Sequence, residues 1–125
     1  MKSFISLAVF CFVAVALASV QSSDYNKPIM VKSSMPQVTV TLPGNKTTGY
    51  SWFLESYDAT YIRPMKQQYK APQQDIPGAP GESVWTFRIL DTAFEVPRIL
   101  RVKMVYGRPW DLADARTKII TIITH

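Results

Sequence analysis

Val38-Thr39-Val40-Thr41-Leu42-Pro43-Gly44-Asn45-Lys46-Thr47-Thr48-Gly49-Tyr50-Ser51-Trp52-Phe53-Leu54 holds two alternating apolar runs on either side of a small polar loop. Val38, Val40 and Leu42 alternate with Thr39 and Thr41, the period of two expected of a half-buried strand. Pro43-Gly44 punctuates the run, and Tyr50, Trp52 and Leu54 resume the alternation beyond the loop. The loop itself, Asn45 to Tyr50, carries two threonines and a glycine but no acid, histidine or thiol. Such a loop is poorly equipped for bond-making and well shaped for contact.

The same pattern extends outward along the chain. Ser19 to Lys27 reads as a polar lead-in, and Pro28 to Val31 as a short edge strand, since proline is tolerated at a strand start. Tyr57 to Tyr69 reads as an extended, irregular strand because Arg63-Pro64 opposes a helix. Pro72, Pro77, Gly78, Pro80 and Gly81 then mark Lys70 to Gly81 as a long loop, of a length that suggests function or disorder. Val84 to Leu90 alternates again, with Trp85, Phe87 and Ile89 on one face. Asp91 to Pro97 is a turn region, after which Leu100, Val102, Met104 and Tyr106 alternate with Arg101 and Lys103. Gly107-Arg108-Pro109-Trp110 ends that strand. Asp111 to Arg116 is predicted as a single helical turn with Asp111 as its cap, and Lys118 to Thr124 as the last strand, rich in Ile and Thr. Nothing sustains a helical period, so the fold class is all-β: an antiparallel β-sandwich. Loops at alternate connections emerge at the same end of a sandwich. Counted from Pro28–Val31, the loops at 45–50, at 78–81 and at 108–110 follow the second, fourth and sixth strands, and should share one end.

The chain has 125 residues, 47% of them hydrophobic, enough for one core and one domain. Its beginning stands apart from that core. Lys2 precedes the apolar run Phe4 to Leu17, and Ala16-Leu17-Ala18 is a small-x-small cleavage site, so residues 1–18 read as a secretory signal peptide cleaved after Ala18. The run is shorter than the roughly 20 residues a membrane-spanning helix requires. The only cysteine, Cys11, lies within it, so the remaining domain, 19–125, has no disulfide and must be held by packing. Lys2 leaves too, reducing 14 Lys and Arg to 13 against 9 Asp and Glu, a net charge of +4. These bases are scattered, which argues against a nucleic-acid stripe. The single histidine, His125, is the last residue, so a Ser-His-Asp or Cys-His arrangement is disfavoured. No Cys, His, Asp and Glu spacing suits a metal, and no cofactor motif is present. The sequence thus points to a binding protein and away from an enzyme, the residue types alone leaving open a secreted immunoglobulin-like adhesion or interaction module.

Asn45-Lys46-Thr47-Thr48-Gly49-Tyr50-Ser51-Trp52 resembles the N-P-T-T-G-Y-S-W signature of the chagasin-like inhibitors of cysteine peptidases. Gly78-Ala79-Pro80-Gly81 stands where that family has its G-x-G-G loop, and Arg108-Pro109-Trp110 is similar to its R-P-W/F loop. Three such segments in order carry far more weight than one. The resemblance implies an immunoglobulin-like sandwich that inserts the three loops as a wedge into the active-site cleft of papain-like, cathepsin-type cysteine peptidases. It implies reversible, non-covalent inhibition, with Thr47 over the catalytic cysteine and Thr48 and Gly49 completing the tip. Arg108 and Trp110 would grip one flank of the cleft and the Gly78 to Gly81 loop the other.

The residue chemistry is consistent with these roles. Thr47 and Thr48 are β-branched and stiff, Gly49 permits a positive backbone angle and close approach, and Pro109 fixes a loop bearing Arg and Trp, frequent interface hot spots. Tyr50 is expected as a support beneath the loop, Trp52 and Trp85 as core, and Trp110 as the exposed exception. Two positions depart from the family pattern. Lys46 replaces a proline, adding a charge and loop entropy, and Pro80 replaces a glycine, which constrains the second loop. The first change also creates an Asn45-Lys46-Thr47 acceptor for N-glycosylation in a secreted protein; a glycan there should block insertion. The expectation is a monomer of the secretory pathway, released or delivered to a lysosome-like vesicle, where it could also escort a peptidase.

Overall fold

Val38, Val40 and Leu42 are fully buried, as are Phe87, Ile62, Val102, Met104, Ile120 and Ile122, and two sheets close over them. The structure, a computed structural model, describes residues 19–22, 26–44, 48–72 and 79–125. The expected leader, Asn45, Lys46, Thr47 and Gly78 lie outside the described residues. The strands are β1 (Val20–Ser22), β2 (Ile29–Val31), β3 (Gln37–Gly44), β4 (Ser51–Ser56), β5 (Ile62–Lys70), β6 (Gly81–Ile89), β7 (Ile99–Arg108) and β8 (Asp111–Thr124). One sheet runs β1-β3-β6-β5 and the other β2-β8-β7-β4. This is the immunoglobulin-like sandwich expected from the sequence, with period-two strands supplying one apolar face each.

Strand pairing is antiparallel through the body of each sheet and parallel at one edge of each, where β1 joins β3 and β2 joins β8. The purely antiparallel expectation is corrected accordingly. β2, at the edge of one sheet, is the short edge strand expected at Pro28 to Val31, whereas the polar lead-in Ser19 to Lys27 supplies an unexpected β1 to the edge of the other. Three residues are too few to show a period, and their pairing comes from a ready edge: Ser19 Oγ and Thr39 Oγ1 lie 2.9 Å apart across it. β5 is irregular as expected, its register shifting between Pro64 and Lys66. Proline has no N–H to give to the ladder and is confined to edges and bulges; β5 is an edge strand.

Asp111 to Arg116 is not helical. The residues belong to β8, but register with β7 jumps from Tyr106 opposite Arg116 to Arg108 opposite Asp111. Four residues, 112–115, thus oppose the single Gly107, a bulge larger than the usual two against one. The Asp111 carboxylate does accept an N–H, from Ala113 at 3.2 Å, but it closes a local turn within the bulge, as Asp side chains do, without starting a helix. A 3-10 turn, Asp91–Phe94, occupies the region read as a turn.

Candidate functional site

Strand ends fix where the loops emerge. Gly44, the last residue of β3, lies opposite Gly81, the first of β6, and Lys70 at the end of β5 lies opposite Glu82. In the other sheet Ser51 opens β4 opposite Gly107, and Arg108 faces Asp111 across the two-residue Pro109-Trp110 link. A Cβ at Gly44 would sit 3.5 Å from both Trp52 and Tyr106, so the two sheets meet at this end. The three connections between β3 and β4, β5 and β6, and β7 and β8 therefore share it. Adding β1 to the count shifts every strand number by one and leaves that relation unchanged.

A column of rings stands beneath the first and third loops. The Trp52 indole N–H donates to the Pro43 carbonyl at 3.0 Å, tying the start of β4 to the end of β3. Trp52 packs tilted against Tyr106 with ring centres 4.9 Å apart, Tyr106 likewise against Tyr50 at 5.2 Å, and the Arg108 guanidinium lies 4.7 Å above the Tyr50 ring. Each step contributes on the order of 1 kcal/mol beyond simple burial. The half-buried Tyr50 is thus a support for the loop, as expected, and Tyr106 is the pillar between it and the core.

From the top of this column Arg108 Nε donates to the Thr48 carbonyl at 3.1 Å, joining the third loop to the first. Gly49 has φ +82°, and a Cβ on it would lie 2.7 Å from the Trp110 ring. Only glycine satisfies both conditions, since a side chain at positive φ is strained and here would also strike an indole. Trp110 itself is 73% exposed. Exposed Thr48 and Pro109 complete a small surface with Trp110, while Arg108 is half-buried.

The described ends of the second loop start from the same end of the sandwich, where Gly81 pairs with Gly44. Gly81 is buried, and a Cβ there would run into the Tyr69 hydroxyl and lie 2.6 Å from the Lys70 carbonyl, so β5 crosses directly over it. Ala79 is half-buried and Pro80 exposed. Of the thirteen residues singled out in the sequence, the nine described ones, Thr48, Gly49, Tyr50, Ala79, Pro80, Gly81, Arg108, Pro109 and Trp110, lie in the loops or strand ends at this one end.

Other aromatic residues fall as expected. Trp52 is buried, and Trp85 is half-buried against the core with its indole N–H on Ser83 Oγ at 3.0 Å. Lys103, on the basic face of β7, forms a surface ion pair with Glu55 at 3.5 Å, an interaction of little energetic weight. Sequence reasoning missed the carbonyls of Pro43 and Thr48 as anchors, because main-chain acceptors leave no trace in residue identity. It also missed Leu112, 60% exposed on the β8 bulge, since the helical reading hid the bulge.

Residues 33–123 match the sequence profile described as chagasin family peptidase inhibitor I42. Two solved structures share the fold. The cysteine protease inhibitor EhICP2 from Entamoeba histolytica superposes with a TM-score of 0.63 at 17% identity, covering 85% of this chain and 95% of that one. The solution structure of amebosin gives a TM-score of 0.63 at 23% identity, covering 86% of this chain and 99% of that one. No curated protein matches the sequence.

Proposed function

The chain belongs to the chagasin family of peptidase inhibitors, which is a family of inhibitors and not of enzymes, and from that premise we propose that it inhibits papain-like, cathepsin-type cysteine peptidases reversibly and competitively. The wedge is the loop end of the sandwich: residues 45–50, 78–81 and 108–110. The observation that carries the proposal is the joined tip, in which Arg108 holds the Thr48 carbonyl at 3.1 Å and the Trp110 ring covers Gly49.

A tip built this way suits an inhibitor for a physical reason. Ordering flexible loops on binding costs affinity, and loops already tied to one another have less to lose. The Arg108 bond, the rings beneath it and the stiff Thr48 side chain supply that order before the partner arrives. Thr47 carries the contact with the catalytic cysteine in this proposal. No scissile bond is offered to the enzyme, so the complex dissociates intact. Chains of residues 19–125 made without glycosylation and titrated against papain test the reading: nanomolar, stoichiometric and reversible loss of activity is the expected result, and full activity at micromolar inhibitor would refute it.

The compartment follows from the leader in the same proposal. Cleavage after Ala18 sends a monomer into the secretory pathway, to the outside or to a lysosome-like vesicle, and an amino terminus other than Ser19 on the secreted protein would contradict this. Asn45 is the acceptor in Asn45-Lys46-Thr47, flanked by Gly44 and Thr48 at the loop end. A glycan on it blocks insertion, so material secreted with the modification should gain inhibitory activity when treated with an endoglycosidase.

A further inference from the structure

The β8 bulge gives the loop end an apolar shoulder that the three loops do not account for. Residues 112–115 oppose the single Gly107, so the strand carries three residues more than its pairing requires. Bulges recur beside functional sites, where the extra residues re-aim a side chain. The side chain re-aimed here is Leu112, which leans back over β7: the space above Gly107 is filled by Leu112 at 3.7 Å and Ala115 at 3.0 Å from where a Cβ would stand. Leu112 nevertheless stays 60% exposed.

Leu112 does not stand alone. With Pro109, Ala115, Val105 and Phe53 it lines a shallow groove of about 570 Å³ on the outer face of the second sheet, where Glu55 and Thr117 supply the polar rim. Phe53 is 38% exposed. The groove begins at Pro109, next to the exposed Trp110, and so runs without a break from the third loop down the side of the sandwich. On the other side of the same bulge Asp114 and Arg116 line a separate groove with Arg108 and Thr48, so among the described residues Glu55 is the one charged residue that lines the apolar shoulder.

We propose that this shoulder is a fourth contact element, in which Leu112 and Phe53 receive a bulky apolar side chain on the rim of the peptidase cleft beside the Arg108–Trp110 loop. The proposal rests on the inhibitory reading above and deepens it. The loops enter the cleft, which peptidases of one class share, while the shoulder meets the rim, which differs among them. Leu112 is therefore a specificity-determining residue: it sets which peptidases are bound tightly.

Inhibition constants of Leu112→Asp and Phe53→Thr, against a panel of papain-like peptidases, test this. Half-burying a leucine is worth roughly 1–1.5 kcal/mol, so Leu112→Asp should weaken inhibition of the best-bound peptidase by about tenfold and of poorly bound ones by much less. Ile99→Ser, at the far end of the same sheet face and 59% exposed, should change nothing. Thermal melts of Leu112→Asp and Ile99→Ser should match the unsubstituted chain, because both side chains are mostly exposed, while Phe53→Thr, at a side chain 38% exposed, should melt lower. Equal inhibition by Leu112→Asp and the unsubstituted chain would overturn the shoulder and leave the loops standing. An equal loss with Ile99→Ser would also overturn it, as a general effect of polar substitution. Failure of the unsubstituted chain to inhibit any peptidase would overturn the inhibitory reading, and the shoulder with it. Concentration-dependent dimers that vanish in Leu112→Asp, with inhibition unchanged, would reassign the groove to a second copy of the chain.

Discussion

Trp110 and Gly49 form one device from two residues. The indole covers the glycine and is itself 73% exposed, so one of its faces is spent on the first loop and the rest is offered to a partner. Trp110→Ala should leave folding intact and weaken inhibition by about 2 kcal/mol or more, roughly thirtyfold in the inhibition constant; an unchanged constant would remove Trp110 from the interface. Gly49→Ala should act differently. It places a side chain at φ +82°, a strain of roughly 1–2 kcal/mol, and pushes against the Trp110 ring. Both the melting temperature and the inhibition should fall, and inhibition falling alone would mean that the turn relaxes at no cost. Comparing the two variants separates the surface that Trp110 presents from the geometry that Gly49 permits.

Elements carry the loops only because their ends are tied. The Trp52 N–H bond to the Pro43 carbonyl spans the base of the first loop at 3.0 Å, and Trp52→Phe keeps an aromatic ring against Tyr106 while deleting that bond. A loss of about 1 kcal/mol in urea unfolding is expected, with weaker inhibition as the loop base loosens; a loss confined to inhibition would show that the bond shapes the loop without holding the core. Much of this scaffold was legible in the sequence. β3, β4, β6 and β7 each show their buried face as a period of two, and counting strands was enough to bring three loops to one end. Two features were not legible, for related reasons. β1 is three residues paired to an edge, a fact of tertiary structure with no period to announce it. The bulge at 112–115 was misread because Asp111 followed by Leu112-Ala113-Asp114-Ala115 has the capping residue and the helix formers of a helical turn, while its partner Gly107 favours a local strand partner instead: with no Cβ there, the chain folds back over β7.

At the scale of the molecule, stability and recognition lie at different places. The core is shared by both sheets, being built from Val38, Val40, Phe87, Val102, Met104 and Ile122 between the strands, and the exposed Trp110 is not part of it. With one cysteine in the sequence, Cys11, no intrachain disulfide supports residues 19–125, and packing alone must exceed the entropy of the unfolded chain. Ile122 is fully buried on β8, opposite Leu100 of β7 and Ile29 of β2. Ile122→Ala should therefore cost about 2–5 kcal/mol of unfolding free energy, a large share of the 5–15 kcal/mol typical of a domain. Its effect on inhibition should be of another kind. Active-site titration should find fewer competent inhibitor molecules at elevated temperature, while those that remain folded bind with the original constant. A raised inhibition constant at low temperature, where the variant is folded, would mean that the core sets the shape of the tip, and that the ring column from Trp52 to Arg108 passes core strain on to the loops.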